Sequence, residues 1–331
     1  MQPMLTVTAS PHIRSAVSTP RIMLDVILAL LPTSVAGVIL FGWRALAVLC
    51  ASVLSAVLAE FVFNLITRRP QSIGDLSAVV TGLLLGLNCH AGTPIWQCVL
   101  GSVFAVVVVK CFFGGLGGNF ANPAITGRVF LLISFSGTVG GGAVTRFMRD
   151  AGADLVTSAT PLTVLNGAGT TEELLGAMPS YLDLFLGNRS GAIGEVCILA
   201  LLIGFLYLIV RRVIHWETPL IYIGTVFLLS LAIRGSVAVA LCEILSGGLV
   251  LGAVFMATDY VTTPITRTGK MLFALGCGII TVLIRFFGIY PEGVSFSILF
   301  MNILSPYLEK WTARTPLGAG KAPAAKGGEA K

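Results

Sequence analysis

Ten residues, DLVTSATPLT at positions 154–163, set four hydroxyl side chains behind a lone carboxylate in a chain that is otherwise mostly apolar. The hydroxyls belong to Thr157, Ser158, Thr160 and Thr163, and the carboxylate to Asp154. A threonine hydroxyl is a weak nucleophile at neutral pH, so a covalent role demands an adjacent base or an outside enzyme. The three histidines are His12, His90 and His215, none of them in this stretch. Self-contained Ser/His/Asp hydrolysis is therefore not supported. Without context the stretch reads as a capping turn, with Thr157 or Ser158 starting a helix. Its other reading is a point of attachment.

Four more carboxylates, Asp25, Glu60, Glu243 and Asp259, fall in or near apolar runs. A charge at membrane depth is costly and is a functional hypothesis by default. Asp25 and Asp259 lie close to the ends of their runs and read as neutral or paired carboxylates. Glu60 and Glu243 stay open between a cation path, a redox-linked proton acceptor and a structural role. The seven cysteines are scattered and form no CxxC pair. Neither an iron–sulfur nor a zinc site held by this chain alone is expected, and the thiols read as small buried hydrophobes.

These groups must be positioned by membrane helices. Charged residues make up 11% of the chain, against about 25% in an ordinary soluble domain, and the mean hydropathy is +0.93. Ten apolar segments recur, at roughly 22–41, 45–66, 73–89, 95–113, 123–139, 192–210, 218–233, 237–257, 271–288 and 293–307. The fold class expected is an all-α polytopic membrane protein of about ten transmembrane helices, some short, tilted or broken. An even number places both termini on one side. With the termini inside, fifteen of the 21 Lys and Arg fall on the inner side and six on the outer, which satisfies the positive-inside rule. The net charge of +6 is thus a membrane-orientation signal, and no nucleic-acid partner is expected.

The organisation that follows is an inner segment 1–21, five spans over 22–139, an outer loop 140–191, five spans over 192–307 and a tail 308–331. The outer loop carries five acidic residues and the hydroxyl stretch. A loop of that length is functional or disordered. The tail, rich in Ala, Gly and Lys, reads as disordered. Each half also holds a glycine-rich segment leading to a proline-containing break, GGLGGNFANPAITGR at 114–128 and GGLVLGAVFMATDYVTTPITRTGK at 247–270. Paired interruptions in corresponding halves point to an inverted five-plus-five repeat.

The pattern Asp154-Leu155-Val156-Thr157-Ser158-Ala159-Thr160 resembles the acceptor sequence for covalent flavinylation. Five further segments, SPHIRSAVSTPRIMLDVILALLP (10–32), SAVVTGLLLGLN (77–88), FGGLGGNFANPAITGR (113–128), ATDYVTTPITRTGK (257–270) and YPEGVSFSILFMN (290–302), are similar to the D subunit of the Rnf electron-transport complex. They are less similar to its homologue, the B subunit of the sodium-translocating NADH:quinone reductase. The resemblance covers nearly the whole chain, with its segments in order.

It implies FMN esterified through its phosphate to Thr160 by a flavin transferase, with Asp154, Thr157, Ser158 and Ala159 completing the pattern. It also implies electron carriage in a bacterial inner membrane, coupled to movement of sodium ions or protons through a complex whose other subunits handle NAD and ferredoxin. No GxGxxG fingerprint or ferredoxin-type cysteine run is present in this chain. A second, noncovalent flavin (riboflavin) is a further implication. Gly114, Gly115, Gly117 and Gly118 would let backbone approach its ring and Asn119 and Asn122 would offer hydrogen bonds, although helix packing explains the glycines equally. Arg234 and Arg285 are expected at the outer ends of spans, snorkelling to lipid headgroups or neutralising a flavin phosphate. The rival from another class is a solute transporter or channel without redox chemistry.

Overall fold

The computed structural model describes residues 18–150, 157–158, 160–167, 171–288, 290 and 292–313. Asp154 and Ala159 of the hydroxyl stretch, the first 17 residues and the tail from 314 lie outside the described residues. Each of the ten apolar segments holds a helix. In the first half these are Thr19–Phe41, Trp43–Ile66, Ser77–Asn88, Ile95–Val103 continued by the π-helix Phe104–Cys111, and Pro123–Ser134. In the second they are Ile198–Val210, Glu217–Arg234, the pair Val237–Leu245 and Leu249–Met256, Arg267–Phe287 and Val294–Thr312. The last helix therefore runs past the boundary expected at 307.

Length separates these helices into two kinds. Thr19–Phe41, Trp43–Ile66, Glu217–Arg234 and Arg267–Phe287 are long and apolar enough to cross a membrane. The pair Val237–Leu245 and Leu249–Met256 adds a fifth when taken as one crossing bent by 64°. Ser77–Asn88 and Pro123–Ser134 have 12 residues each. A helix of that length rises about 18 Å, short of a hydrocarbon core of about 30 Å.

The breaks have local causes. Gly42 sits at φ 78° between the first two helices, and Gly247 at φ 67° between the two halves of the bent pair. Both are in the left-handed region, where a side chain is strained. Asn122 starts the Pro123–Ser134 helix by accepting from the amides of Ala124 (3.0 Å) and Ile125 (3.4 Å), with Pro123 already set at a helical φ. Thr266 caps the Arg267–Phe287 helix by accepting from Gly269 at 3.1 Å.

Small residues let the helices close on one another. A Cβ added at Gly82 would lie 2.7 Å from Val53 Cα and 2.8 Å from the Ser52 carbonyl oxygen, so the second and third helices meet backbone to backbone. Ser52 Oγ donates to the Gly82 carbonyl at 2.7 Å across the same contact. In the second half the Tyr222 hydroxyl lies 2.7 Å from Thr281 Oγ1 and 2.9 Å from Ser297 Oγ, tying three helices through one buried network.

The segment between the halves is more ordered than a bare loop. Gly142–Ala143 pairs antiparallel with Thr157–Ser158, in the register Gly142↔Ser158 and Ala143↔Thr157, and Ala143 bridges to Gly191. Residues 142 and 191 are thereby brought together at the base of the loop. Short helices Arg146–Asp150, Pro161–Leu165, Thr171–Gly176 and Tyr181–Leu186 fill the interval.

Gly82→Leu should lower the stability of the detergent-solubilised protein by about 1–3 kcal/mol, because backbone rather than a flexible side chain must move. Gly224→Ala, where an added Cβ meets nothing within 4 Å, serves as the control and should leave the unfolding midpoint unchanged. Equal midpoints for the two variants would contradict the close approach at Gly82.

Candidate functional site

Thr160 is the first residue of its pattern with a fully described side chain. It caps the Pro161–Leu165 helix, its Oγ1 accepting from the Thr163 amide at 3.3 Å and lying 2.8 Å from Thr163 Oγ1. Pro161 follows at the first helical position, where its missing N–H costs nothing. The helix start expected at Thr157 or Ser158 thus falls at Thr160. Those two residues form a strand instead, because Gly142–Ala143 offers them a ladder. A Cβ at Gly142 would fall 2.9 Å from Thr160 Cγ2 and 2.8 Å from the Gly191 amide nitrogen. The glycine therefore seats the threonine, which remains half-buried with its hydroxyl at the surface.

Behind the hydroxyl the loop is anchored to the broken helix. Leu165 and Leu184 pack with Val239 and Cys242, and Arg234 Nη2 donates to the Leu165 carbonyl at 2.6 Å. A Cβ at Gly247 would touch both Leu162 Cδ2 (3.1 Å) and Arg285 Nη2 (3.3 Å). Here the structure departs from the sequence reading. Arg285 does not snorkel; it is buried, and its Nη1 donates to Glu243 Oε2 at 3.1 Å and to the Glu243 carbonyl at 2.8 Å, both side chains being 0% exposed. Arg234 is spent on the loop backbone and stacks 4.9 Å over the Phe286 ring. Among the described residues, Glu243 Oε1, Ser246 Oγ and the Nε and Nη2 of Arg285 find no hydrogen-bond partner.

Glu60 has a matching environment in the first half. Lys110 Nζ donates to Glu60 Oε1 at 2.8 Å and to Ser77 Oγ at 2.6 Å, and Ser72 Oγ donates to the same Glu60 oxygen at 2.5 Å. Both charges are buried, at 2% and 1% exposure. Lys110 and Arg285 each sit in the last turn of the fourth helix of their half. Ser77 and Gly247 likewise stand before or at the start of the short helices Ser77–Asn88 and Leu249–Met256. Asp25 behaves as the sequence suggested, accepting from Arg211 at 3.2 Å and from the Tyr207 hydroxyl at 3.0 Å. Asp259 is held by Thr262 Oγ1 at 3.0 Å and the Val261 amide at 3.3 Å.

Sequence reasoning missed a third polar group. Arg128 Nη2 pairs with Glu292 at 3.1 Å, and an added Cβ at Gly248 would lie 2.8 Å from Glu292 Oε1 and 3.4 Å from Glu195 Oε2. Arg189, 1% exposed, donates to the Glu195 carbonyl at 2.7 Å, and burial pulls its guanidinium down to about 10. Lys110 was missed as a partner for Glu60. The available signal was the lysine itself, set inside the run VVVVKC, where it needs a counter-charge.

A cleft of about 780 Å³, counting its open part, lies between the halves and is lined by Ser77, Lys110, Asn119, Asn122, Asp259 and Tyr260 among others. Gly114, Gly115 and Gly117 beside it have φ of 109°, 92° and 93°, and a Cβ at any of them meets nothing within 4 Å. Turn geometry, not helix packing, accounts for these glycines. Among the described residues no group of three His, Cys, Asp or Glu side chains is placed to hold a metal.

Fold and site together define a polytopic helical membrane protein with the Thr160 hydroxyl anchored on a loop and ion pairs sealed inside its helix layer. The chain belongs to the NQR2, RnfD, RnfE family, whose profile matches residues 6–318. It is 46% identical to the D subunit of the Na(+)-translocating ferredoxin:NAD(+) oxidoreductase complex of Acetobacterium woodii, over 96% of each chain. It is 40% identical to the proton-translocating counterpart of Clostridium ljungdahlii, over 95% of this chain and 96% of the relative. The D subunit of an ion-translocating oxidoreductase complex of Escherichia coli is 34% identical, over 92% and 96%.

Arg285→Met should destabilise the protein by about 3–5 kcal/mol, because it leaves the Glu243 carboxylate buried and unpaired. The double variant Glu243→Leu/Arg285→Met should recover most of that loss in the same detergent unfolding assay. A double variant as unstable as the single one would show that the pair is not the source of the effect.

Proposed function

We propose that this chain is the D-type membrane subunit of an ion-translocating ferredoxin:NAD oxidoreductase complex of the bacterial inner membrane, and that it carries electrons through FMN esterified to Thr160. The single observation that carries the reading is a surface hydroxyl at the end of the acceptor pattern, on a loop clamped to the helix layer. The flavin supplies the redox chemistry. The chain's part is to present the hydroxyl to a flavin transferase and then hold the loop in place. Gly142 and the Arg234 contact to Leu165 support both tasks.

We keep a topology of ten spans with both termini inside and the loop at 140–191 at the outer face, the 12-residue helices crossing with non-helical backbone that is buried in protein completing their path. Lys110 and Arg128 of the inner set and Arg189 and Arg285 of the outer set are buried, so they carry no weight as loop charges. Removing two from fifteen and two from six leaves thirteen against four, still strongly asymmetric. The inverted repeat is supported by the equivalent placement of Lys110 with Ser77 and of Arg285 with Gly247.

The inner cleft is our candidate for the second, noncovalent flavin (riboflavin), with Asn119 and Asn122 as polar contacts and Lys110 as the nearby positive charge. For the ion, sodium or proton, Glu60 and Glu243 are the carboxylates that one path would use. Each is held by a cation of the protein itself, so a translocated ion would compete with Lys110 or Arg285. The remaining subunits of the complex handle NAD and ferredoxin.

Thr160→Ala should abolish the flavin fluorescence that survives denaturing electrophoresis, while the protein still inserts in the membrane at the wild-type level. Thr157→Ala should weaken the band without removing it. A full-strength band from Thr160→Ala would sink the assignment.

A further inference from the structure

We infer that Thr163, which lies outside the acceptor pattern, is a positioning residue for the modification of Thr160. This rests on the reading of Thr160 as the FMN acceptor. Thr163 meets Thr160 twice, through its amide at 3.3 Å and its own hydroxyl at 2.8 Å. The two contacts act on different parts of the Thr160 oxygen. The amide donates to one lone pair of Oγ1. The hydroxyl contact has two directions, and they differ in consequence.

When Thr163 donates, both lone pairs of Thr160 Oγ1 are engaged and the oxygen is capped. When Thr160 donates, its proton points at Thr163 Oγ1 and one lone pair faces the surface. Only the second arrangement presents a nucleophile. In it, Thr160 Oγ1 attacks the FMN-side phosphorus of FAD held by the transferase. The P–O bond to the AMP portion breaks and AMP leaves with the bridging oxygen. The Thr160 proton passes along the hydrogen bond to Thr163 and on to solvent, and no electrons are exchanged. Afterwards Thr160 has no hydrogen, so the Thr163 hydroxyl becomes a donor to the new phosphodiester. One side chain thus accepts before the reaction and donates after it.

Helix geometry fixes this pairing, since residues three apart share a face of the first turn. Thr163 is exposed, so replacing it perturbs little besides this contact. The Thr160 environment is otherwise held by Gly142 and Pro161, neither of which supplies a hydroxyl.

The experiment measures the initial rate of covalent flavin incorporation into the full-length chain in membranes, with FAD and a limiting amount of flavin transferase. Thr163→Val should slow incorporation by about 5- to 10-fold, the size of one lost hydrogen bond, with the loss in kcat rather than in KM for FAD. Thr163→Ser should restore a near-wild-type rate, which a purely structural role for the methyl group would not predict. Wild-type rates for Thr163→Val, or a Thr163→Ser protein as slow as Thr163→Val, would overturn the inference while leaving the Thr160 assignment intact. Absence of covalent flavin from the wild-type chain would overturn both.

Discussion

A full charge in the hydrocarbon layer must be matched at short range, and the Glu243–Arg285 pair shows what that demand does to the fold. Both side chains are 0% exposed, and removing either would strand the other. Arg285 reaches its partner beside Gly247, where no Cβ intervenes. The helix is broken there, at the residues Ser246 to Gly248, and bends by 64°. A broken helix frees backbone groups that are tolerable only inside protein or a wet cavity. The loop that carries Thr160 supplies part of that cover, with Leu162 against Gly247 and Leu165 in one apolar cluster with Cys242. The ion pair, the break and the seat of the loop that carries Thr160 are therefore one arrangement.

A second buried ion pair lies in the first half of the chain. Lys110, Glu60 and Ser77 close around the start of the Ser77–Asn88 helix and border the cleft between the halves. The surroundings of the two cations differ. Ser77 gives Lys110 a second hydrogen bond beside Glu60, whereas Nε and Nη2 of Arg285 find no hydrogen-bond partner among the described residues.

Much of the helix layer was legible because apolar runs and their glycine and proline ends are local properties. The start at Pro123 and the interruption at Gly42 each follow from a residue with restricted or left-handed backbone preferences, whereas the break at Gly247 falls inside a segment, 237–257, that reads as one apolar run. The pattern that ends at Thr160 is contiguous, so its resemblance to an acceptor sequence is a local property of the chain. The ion pairs were not, since Glu60 and Lys110 are 50 residues apart and Glu243 and Arg285 are 42 apart. Arg285 was misread as a snorkelling residue because position near a helix end does not reveal which face a side chain takes. The Arg128–Glu292 pair spans 164 residues and had no local signal beyond an arginine inside an apolar segment.

A covalent group on the loop is the claim on which the electron-carrying role stands. Trypsin cutting after Arg149 and Arg189 releases residues 150–189 as one peptide, since no Lys or Arg lies between them. Mass spectrometry of that peptide from the purified complex should show the unmodified mass plus that of FMN less one water, with fragment ions placing the addition on Thr160. An unmodified peptide from a preparation active in electron transfer, or the same added mass on a different residue, would contradict it.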